Sequence, residues 1–473
     1  MEQKGCFING QWLSTSQILP VHSPWSGEVV GEVCLAGPEE WEKAIVAAQE
    51  AAQVLKKWSG LQRRQLLEAM AAGVKTRRGE FVQTIVAEGG KPVVYARGEM
   101  ARGQTTLLLA AEEAGRLGGE IIPLDLIQAA SGRWGLTRRF PVGPVLGIAP
   151  FNFPFNLVAH KVGPALAAGN PIIVKPASAT PLTALKLAEV YDEAGGPPGG
   201  LQVLPSRAEV AERAVADDRL KVLSFTGSAA VGWHLKAQAG RKKVILELGG
   251  NAACIIDADA DLKRAAHRTA IGAFAHAGQV CIAVQRVLVH RQVYDEFARL
   301  FQDTIAKEIA AGDPAREETV VGPFIDAGAG ERVRAWVTEA LDGGAGILTG
   351  GLGEGNIMPP TVLTNVTRDM KVWREEVFGP VATLTPFEDF NEALELANDS
   401  VYGLQAGVFT NTLSHAWRAF ETLEVGGVII NDAPVFRVDH MPYGGVKASG
   451  LGREGVRYAI EEHTEIRLLA LRV

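Results

Sequence analysis

Short apolar runs alternate with longer stretches of helical periodicity along most of the chain. The first clear runs are at residues 145–148 and 171–174, and others are at 201–204, 221–225 and 244–248. Runs of this length, rich in Val and Ile and bounded by glycine or proline, are typical of buried strands. Their alternation with helices predicts an α/β fold with an open, dinucleotide-type sheet.

Helix signals support this interpretation after the second run. Thr180 is placed to cap a helix, Pro181 suits its first turn, and the pair Gly195 and Gly196 would close it. A second α/β series begins at Ala252, and we interpret it as a second domain. Its strands are predicted near residue 255 and at 287–289, 346–348, 381–384, 407–409 and 428–430.

Two further segments do not fit either series. Residues 132–141 interrupt the first one and predict an exposed hairpin. Together with the C-terminal tail at 466–471, this hairpin is predicted to form an edge that pairs with another subunit.

Composition narrows the class of protein. The chain has 473 residues, is 47% hydrophobic and carries a net charge of −7, which predicts several globular domains. No block of Lys and Arg suggests nucleic acid or membrane partners, so a small molecule is expected. No signal peptide or membrane span is evident, which predicts a cytoplasmic protein. Four cysteines without short spacings predict neither a disulfide framework nor a metal site.

Three residues are candidates for catalysis because of where they stand. Cys281 lies between a helical stretch and a strand, which suits a nucleophile, although a buried inert thiol is the alternative. Glu247 ends an apolar strand, where it would be either a base with a raised pKa or a solvated edge residue. Asn152 lies in a loop with two prolines and two aromatic residues, as either an oxyanion donor or a turn former.

A cofactor signal is present but weak by itself. Gly227 and Ser228 follow a strand and begin a helix, so their backbone N–H groups would suit a pyrophosphate. An ordinary helix cap is the alternative. No G-x-G-x-x-G follows a strand in the first half of the chain, so a standard Rossmann phosphate loop is not expected.

Taken together, these segments resemble the NAD(P)-dependent aldehyde dehydrogenase superfamily, in the branch of lactaldehyde dehydrogenases and non-phosphorylating glyceraldehyde-3-phosphate dehydrogenases. The resemblance covers nearly the whole chain, in the correct order. The motifs that carry it are Pro150-Phe151-Asn152-Phe153-Pro154, Lys175-Pro176, Phe225-Thr226-Gly227-Ser228, Leu246-Glu247-Leu248-Gly249-Gly250-Asn251, Gly278-Gln279-Val280-Cys281, Glu375-Glu376-Val377-Phe378-Gly379-Pro380 and Gly444-Gly445-Val446-Lys447.

The resemblance implies a protomer of three parts that assembles as a homodimer or homotetramer. A Rossmann-like cofactor domain would comprise residues 1–121 and 142–249, and an α/β catalytic domain residues 250–448. A small β extension for oligomerisation would comprise residues 122–141 and 449–473.

The resemblance also implies roles for individual residues. Cys281 would be the nucleophile, Glu247 the base that hydrolyses the thioester, and Asn152 an oxyanion donor beside the Cys281 N–H. Lys175 and Glu376 would hold the riboses of NADP or NAD, Ser228 the pyrophosphate, and Phe378 the nicotinamide region. The full set of implied cofactor contacts is Pro150, Phe151, Lys175, Ser178, Gly227, Ser228, Leu248, Gly249, Glu376 and Phe378.

Departures from the family pattern refine this picture. Ser178 replaces a Glu common in NAD-preferring members, and a hydroxyl can donate to a 2′-phosphate, so we expect NADP to be accepted. His276 stands where the family usually has Asn. It would either pair with Cys281 or pack behind the site, and packing is favoured because no orienting partner is visible.

The expected substrate is a small polar or anionic aldehyde, such as lactaldehyde, glyceraldehyde-3-phosphate or a semialdehyde. Arg102 and Arg437 match phosphate-binding arginines of the glyceraldehyde-3-phosphate branch, and Phe153 and Val280 complete the expected substrate contacts. Val280 replaces an arginine of that branch, so full phosphate specificity is not implied. For each arginine a surface salt bridge is the alternative. The rival functions are a cysteine-dependent esterase without redox chemistry and a non-catalytic protein that kept the fold.

Overall fold

The computed structural model describes residues 3–472 and contains two large sheets and one smaller extension. Every strand predicted in both series is present, within one to three residues at its ends. The α/β fold is therefore confirmed. Within the described residues no helix is long and apolar enough to cross a membrane.

The first large sheet has eight strands, of which the five central ones are parallel. These central strands are buried on both faces, as their continuous apolar runs require. In spatial order the strands are Gly450–Leu451, Lys243–Glu247, Val222–Thr226, Val145–Ile148, Ile172–Lys175, Leu201–Val203, Cys6–Ile8 and Gln11–Leu13. The helices from this part of the chain are Pro38–Leu55, Gly60–Thr76, Arg78–Gly89, Val93–Ala114, Asn156–Ala168, Leu182–Glu193, Ala208–Val215 and Ala229–Gln238.

The second large sheet has seven strands, all drawn from residues 252–430 and parallel except at one edge. In spatial order they are Gly346–Thr349, Thr361–Thr364, Val381–Phe387, Val284–His290, Ala252–Ile256, Gln405–Phe409 and Gly427–Ile430. The remaining helices are Leu262–Phe274, Tyr294–Glu308, Ala327–Asp342, Lys371–Arg374, Phe390–Asn398, Leu413–Thr422 and Val456–Glu462. The boundaries of the three proposed parts remain predictions, and Gly450–Leu451 joins the first sheet although it lies in the segment assigned to oligomerisation.

The extension is a three-stranded antiparallel sheet of Thr464–Arg472, Arg133–Pro141 and Ile121–Pro123. The prediction of a hairpin within residues 132–141 is wrong, because this segment is one continuous nine-residue strand. Its partner is the C-terminal strand, paired in register from Thr464 opposite Pro141 to Arg472 opposite Arg133. A partner more than 300 residues away leaves no local signal in the sequence.

Smaller elements complete the fold. A three-stranded sheet contains Gln3–Lys4, Val29–Cys34 and Ile18–His22, and two strand pairs are Ala310–Ala311 with Thr319–Val321 and Tyr402–Gly403 with Val446–Lys447. Single turns of 3-10 helix are Gln128–Ala130, Ala275–Gly278 and Arg291–Val293.

The cap predicted at Thr180 is also wrong. Helix Leu182–Glu193 begins after Pro181, and its first N–H groups, those of Leu182 and Thr183, donate to the buried carboxylate of Glu88 at 2.8 and 2.9 Å. A carboxylate that is distant in sequence and accepts at a helix N-terminus satisfies the same N–H donors that a local cap would. The Thr180 hydroxyl is buried without a hydrogen-bond partner.

Candidate active site

The candidate site lies at the carboxyl edge of the first sheet, where it faces the loop that carries Cys281. Parallel strands that end at Ile148, Lys175, Thr226 and Glu247 all point their last residues to this edge. Loops after such strands are where open α/β sheets bind ligands. The fold therefore brings the loop after residue 148 and the strand end at Glu247 to one place.

The loop before Cys281 has an unusual backbone. His276, Ala277 and Gly278 have φ values of 53°, 55° and 64°, and residues other than glycine rarely adopt such values. At Gly278 a Cβ would clash with the carbonyl of Gly379, so glycine is required there. Three left-handed residues in succession turn the chain sharply and present Cys281 ahead of strand Val284–His290. Strain of this kind is typical of functional loops.

Cys281 lies where two cavities meet. The first, of about 350 Å³, is lined by Pro150, Phe151, Asn152, Leu157, Thr226, Gly227, Ser228, Glu247, Leu248, Gly249, Cys281, Arg332, Glu376, Phe378, Arg437, Tyr443 and Glu454. The second, of about 260 Å³, is lined by Lys91, Val94, Tyr95, Gly98, Glu99, Arg102, Phe153, Asn156, Leu157, Ile271, Gly272, Ala275, His276, Val280, Cys281, Ile282, Val435, Arg437 and Tyr443. We call them the cofactor-side cavity and the substrate-side cavity. Cys281 lines both cavities.

The Cys281 thiol is held by a tyrosine that the sequence analysis did not identify. Its Sγ atom lies 3.1 Å from the Tyr443 hydroxyl. Burial raises the pKa of the thiol to about 11, while the Tyr443 hydrogen bond and the charge of Arg437 act in the opposite direction. The Cys–His pair left open by the sequence is not formed, because both ring nitrogens of His276 lack a hydrogen-bond partner.

Asn152 is packed against the loop that carries Cys281. Its Nδ2 donates to the carbonyl of Gln279 at 2.9 Å, two residues before Cys281. Its own backbone carbonyl accepts from Lys91 Nζ at 2.7 Å. An amide nitrogen carries two hydrogens, so one remains for a ligand in the cofactor-side cavity, which Asn152 lines. The rigid placement is what an oxyanion donor requires.

Glu247 is buried rather than solvated, and neither carboxylate oxygen has a hydrogen-bond partner. Burial and the negative charge of Glu454 raise the pKa of Glu247 well above its ordinary value, although Arg437 and Lys161 oppose this shift. The alternative interpretation of Glu247 as a solvated edge residue is therefore wrong. A buried, unpartnered carboxyl group that lines the same cavity as Cys281 is suited to accept a proton from water.

A buried charge cluster behind Glu247 was not predicted. Glu454 pairs with Arg437 at 2.9 Å and lies 3.7 Å from Lys161, whose Nζ also donates to Thr226 Oγ1 at 2.7 Å. The residues come from three separate segments, and no local motif marks Lys161 or Glu454. Partnered burial of this kind keeps the charges ionised in a region of low dielectric.

Most of the expected cofactor contacts line the cofactor-side cavity, namely Pro150, Phe151, Gly227, Ser228, Leu248, Gly249, Glu376 and Phe378. Ser228 is the N-cap residue of helix Ala229–Gln238 and makes no side-chain cap hydrogen bond. Phe378, at φ 49°, meets Phe151 edge to face with ring centres 6.0 Å apart.

Glu376 is partly buried beside the turn at Gly249 and accepts from the N–H of Gly250 at 3.0 Å. A side chain at Gly249 would meet the Glu376 carboxylate and displace it from this position. Burial raises the pKa of Glu376 to about 7.

Lys175 and Ser178 lie outside the lining of this cavity. Lys175 Nζ donates to the Pro176 carbonyl at 3.1 Å, and burial lowers the pKa of this lysine. Ser178 is exposed. Their assigned roles toward the ribose remain predictions.

All four expected substrate contacts line the substrate-side cavity: Arg102, Phe153, Val280 and Arg437. Each arginine has a carboxylate partner, Asp439 at 2.8 Å from Arg102 and Glu454 at 2.9 Å from Arg437. Both partners are buried, so these are not surface salt bridges.

Comparison with known proteins agrees with this geometry. Residues 12–469 match the aldehyde dehydrogenase family. The chain is 44% identical to a 3-sulfolactaldehyde dehydrogenase from Priestia aryabhattai over 100% of this chain and 98% of the relative. None of these findings supports the alternative of an esterase without redox chemistry.

Solved structures show the same relationship. Aldehyde dehydrogenase 21 from Physcomitrella patens, in complex with succinate, superposes with a TM-score of 0.98 at 42% identity over 100% of this chain and 98% of that one. An NADP-dependent glyceraldehyde-3-phosphate dehydrogenase from Bacillus halodurans, complexed with NADP, gives a TM-score of 0.97 at 35% identity over 100% of both chains. The chain therefore belongs to the aldehyde dehydrogenase family and oxidises an aldehyde with NAD(P).

Proposed function

We propose that this enzyme oxidises a small aldehyde with an anionic substituent to the carboxylic acid, with Cys281 as nucleophile and Glu247 as base. The observation that carries the proposal is the position of Cys281 at the meeting point of the two cavities. An aldehyde that enters from one side can bond to a sulfur placed there, and its carbonyl carbon then faces a hydride acceptor on the other side.

The cofactor-side cavity suits a nicotinamide dinucleotide. The N–H groups at the start of helix Ala229–Gln238 lack a side-chain cap, which leaves them for a pyrophosphate. Gly249 and the partly buried carboxyl of Glu376 form a cradle that a side chain would fill. When bound there, NAD(P) supplies the hydride acceptor. Glu376 and Lys175 would hold the riboses, Ser228 the pyrophosphate and Phe378 the nicotinamide region, and Ser178 would let NADP be accepted.

In the first half-reaction the Cys281 thiolate attacks the carbonyl carbon of the aldehyde. A C–S bond forms, and the carbonyl electron pair moves to oxygen. The free hydrogen of the Asn152 amide and the backbone N–H of Cys281 donate to this oxyanion. Loss of hydride from the same carbon leaves a thioester on Cys281.

In the second half-reaction Glu247 removes a proton from water, whose oxygen attacks the thioester carbon. The C–S bond breaks, and the acid leaves while the sulfur becomes a thiolate again. Because neither oxygen of Glu247 is engaged, the carboxylate is free to orient this water. Its raised pKa makes it a stronger base than an exposed glutamate.

The substrate class follows from the charges of the second cavity. Lys91, Arg102, Arg437 and one carboxylate, Glu99, line it. Lys91 is paired with Glu99 at 2.6 Å, whereas Arg102 is about one-third exposed. A guanidinium that one carboxylate already orients keeps N–H groups for a sulfonate, phosphate or carboxylate on the substrate. The name of the Priestia relative, a 3-sulfolactaldehyde dehydrogenase, supports an acidic three-carbon aldehyde.

A substrate screen tests this proposal. Purified enzyme with NADP or NAD is given 3-sulfolactaldehyde, lactaldehyde, glyceraldehyde-3-phosphate, succinic semialdehyde or propanal, and the absorbance of reduced nicotinamide is followed. We expect kcat/KM to be highest for an acidic aldehyde and lowest for propanal. Equal values across the panel would contradict the assigned substrate class.

We also propose that the exposed C-terminal strand joins subunits into a homodimer or homotetramer of the cytoplasm. Ile466, Leu468, Leu469 and Leu471 on this strand are each at least 40% exposed. An apolar strand at a sheet edge is a surface that natural proteins cover. Light scattering tests this assembly. The Leu468→Lys and Leu469→Lys variants should have a smaller molar mass in solution than the parent protein.

A further inference from the structure

Tyr443 contacts the Cys281 sulfur but has no part in the reaction steps described above. We propose that Tyr443 is a catalytic residue whose phenol O–H donates a hydrogen bond to the Cys281 thiolate and so favours the reactive form of the nucleophile. The proposal rests on the assignment of Cys281 as nucleophile. It is carried by the distance of 3.1 Å between Tyr443 Oη and Cys281 Sγ.

The sulfur needs such a donor. A helix N-terminus, a histidine or a lysine usually stabilises a thiolate. Cys281 does not begin a helix, and no histidine or lysine among the described residues makes a hydrogen bond to its sulfur. Within residues 3–472, the hydrogen bond to Tyr443 is the one recorded for Sγ. Burial raises the pKa of the thiol to about 11 even with this hydrogen bond in place, so loss of the donor would reduce the thiolate population further.

Tyr443 is suited to be the donor rather than the acceptor once the thiol has lost its proton. A thiolate has no hydrogen to give, whereas the phenol keeps its own. Burial and the neighbouring sulfur raise the pKa of Tyr443 well above its ordinary value, so it stays protonated over the working pH range. A hydrogen bond to a charged acceptor is stronger than one between neutral groups.

The ring of Tyr443 is fixed from two sides. Its backbone forms an antiparallel bridge with Glu454, with N···O distances of 3.0 and 2.6 Å. The guanidinium carbon of Arg437 lies 3.6 Å from the ring centroid, and Arg437 is itself paired with Glu454 at 2.9 Å. A cation on the ring face withdraws electron density and makes the phenol a better donor. The charge of Arg437 thus acts on the sulfur partly through the tyrosine.

The position of Tyr443 supports a role in the reaction rather than in folding alone. It lines both cavities, as does Cys281, so its hydroxyl lies at their junction. A phenylalanine would preserve the packing and the stacking with Arg437. What the hydroxyl adds is the contact with the Cys281 sulfur at 3.1 Å.

The test is the pH dependence of Cys281 alkylation, measured with iodoacetamide and without cofactor. The labelled Cys281 peptide is quantified by mass spectrometry, and Cys6, Cys34 and Cys254 are buried, which makes them slow to react. In Tyr443→Phe we expect the midpoint of the alkylation profile to rise by about one pH unit, which is a roughly tenfold slower reaction at neutral pH. Tyr458→Phe, on the outer part of helix Val456–Glu462, is the matched control and should leave the profile unchanged.

A second measurement leaves the ring in place. Incorporation of 3-fluorotyrosine at all six tyrosines makes the phenol more acidic and a stronger donor. We expect the alkylation midpoint to fall in the otherwise unaltered enzyme but not in fluorinated Tyr443→Phe. A shift of the same size in both proteins would overturn the proposal.

The two proposals fail differently. An unchanged alkylation midpoint in a folded Tyr443→Phe enzyme would overturn the role of the tyrosine while leaving Cys281 as nucleophile. Full dehydrogenase activity in Cys281→Ser would instead overturn the nucleophile itself, whatever the alkylation profile shows.

Discussion

The two cavities that meet at Cys281 are built in different ways. The cofactor side is formed largely by loops that follow adjacent strands of the first sheet, with backbone N–H groups, glycine turns and the carboxyl groups of Glu247, Glu376 and Glu454. The substrate side is a set of side chains from distant helices and loops, held by buried ion pairs such as Lys91 with Glu99 and Arg102 with Asp439. Backbone geometry follows from local motifs, while ion pairs depend on which segments meet. We therefore expect the first side to be common to the fold and the second to determine which substrate is bound.

The largest expected effect is at the point that both sides share. In Cys281→Ser we expect dehydrogenase turnover to fall by about 10⁴-fold or more, because a hydroxyl is a far weaker nucleophile at neutral pH. Binding of NADP, measured by quenching of tryptophan fluorescence, should be retained. Loss of cofactor binding in the same variant would mean that the two cavities are not separable as described.

Glu247→Gln should separate the two half-reactions. The amide cannot accept a proton from water, so steady-state turnover should fall by about 10²- to 10⁴-fold. Formation of the thioester should persist, and mass spectrometry of the intact enzyme after mixing with aldehyde and NADP should detect the acyl adduct. Absence of the adduct together with lost turnover would place Glu247 in the first half-reaction instead.

Arg102→Ala tests the substrate side alone. We expect KM for an anionic aldehyde to rise about tenfold more than KM for propanal, because a charge-assisted hydrogen bond is lost only with the anion. KM for NADP should not change. The matched control is Arg97→Ala on the same helix, whose partner Glu317 is exposed and outside the site. Equal effects of Arg102→Ala on both aldehydes would refute the pocket assignment.

The Glu454→Gln variant tests the electrostatic coupling between the buried charge cluster and Glu247. The Glu454 charge raises the pKa of Glu247, so its removal should move the rising limb of the hydrolysis pH profile to lower pH. The shift is expected to be about one unit.

The same variant should also change acid stability. The Arg437 and Lys161 charges lower the pKa of Glu454 below its value in the unfolded chain. Its contribution to stability is therefore present above the unfolded pKa and is lost as the pH falls through the folded value. Glu454→Gln should be less stable by about 3 kcal/mol at neutral pH and lose less on acidification, as measured by urea denaturation at several pH values. A variant as acid-sensitive as the parent enzyme would contradict this account.

The smallest expected effect is on the free energy of unfolding, through the loop before Cys281. His276 has φ 53°, a conformation that asparagine adopts more readily than histidine. His276→Asn should therefore raise the free energy of unfolding by about 0.5 kcal/mol, as measured by denaturant titration. Ala277→Gly offers a second release of strain in the same loop. A loss of stability in both variants would show that the left-handed turn is not strained.

How far the sequence predicted this site differs between the two sides. Cofactor-side residues such as Ser228, Gly249 and Phe378 stand in continuous motifs, and they line one cavity as expected. Lys161 and Tyr443 were missed because each acts through a partner far away in the chain, Glu454 and Cys281 respectively. No spacing or periodicity reports such pairs.

By itself, the sequence determined the α/β fold, the order of the strands along the chain and the three candidate residues Cys281, Glu247 and Asn152. Apolar periodicity and short motifs suffice for these, because they depend on neighbours within a few residues. Only the tertiary structure decided that residues 133–141 pair with the C-terminal strand and that Glu88 caps a distant helix. It also decided that Cys281 shares a hydrogen bond with Tyr443. Such contacts arise where separate segments meet, and their free energy belongs to the packed chain rather than to any stretch of it.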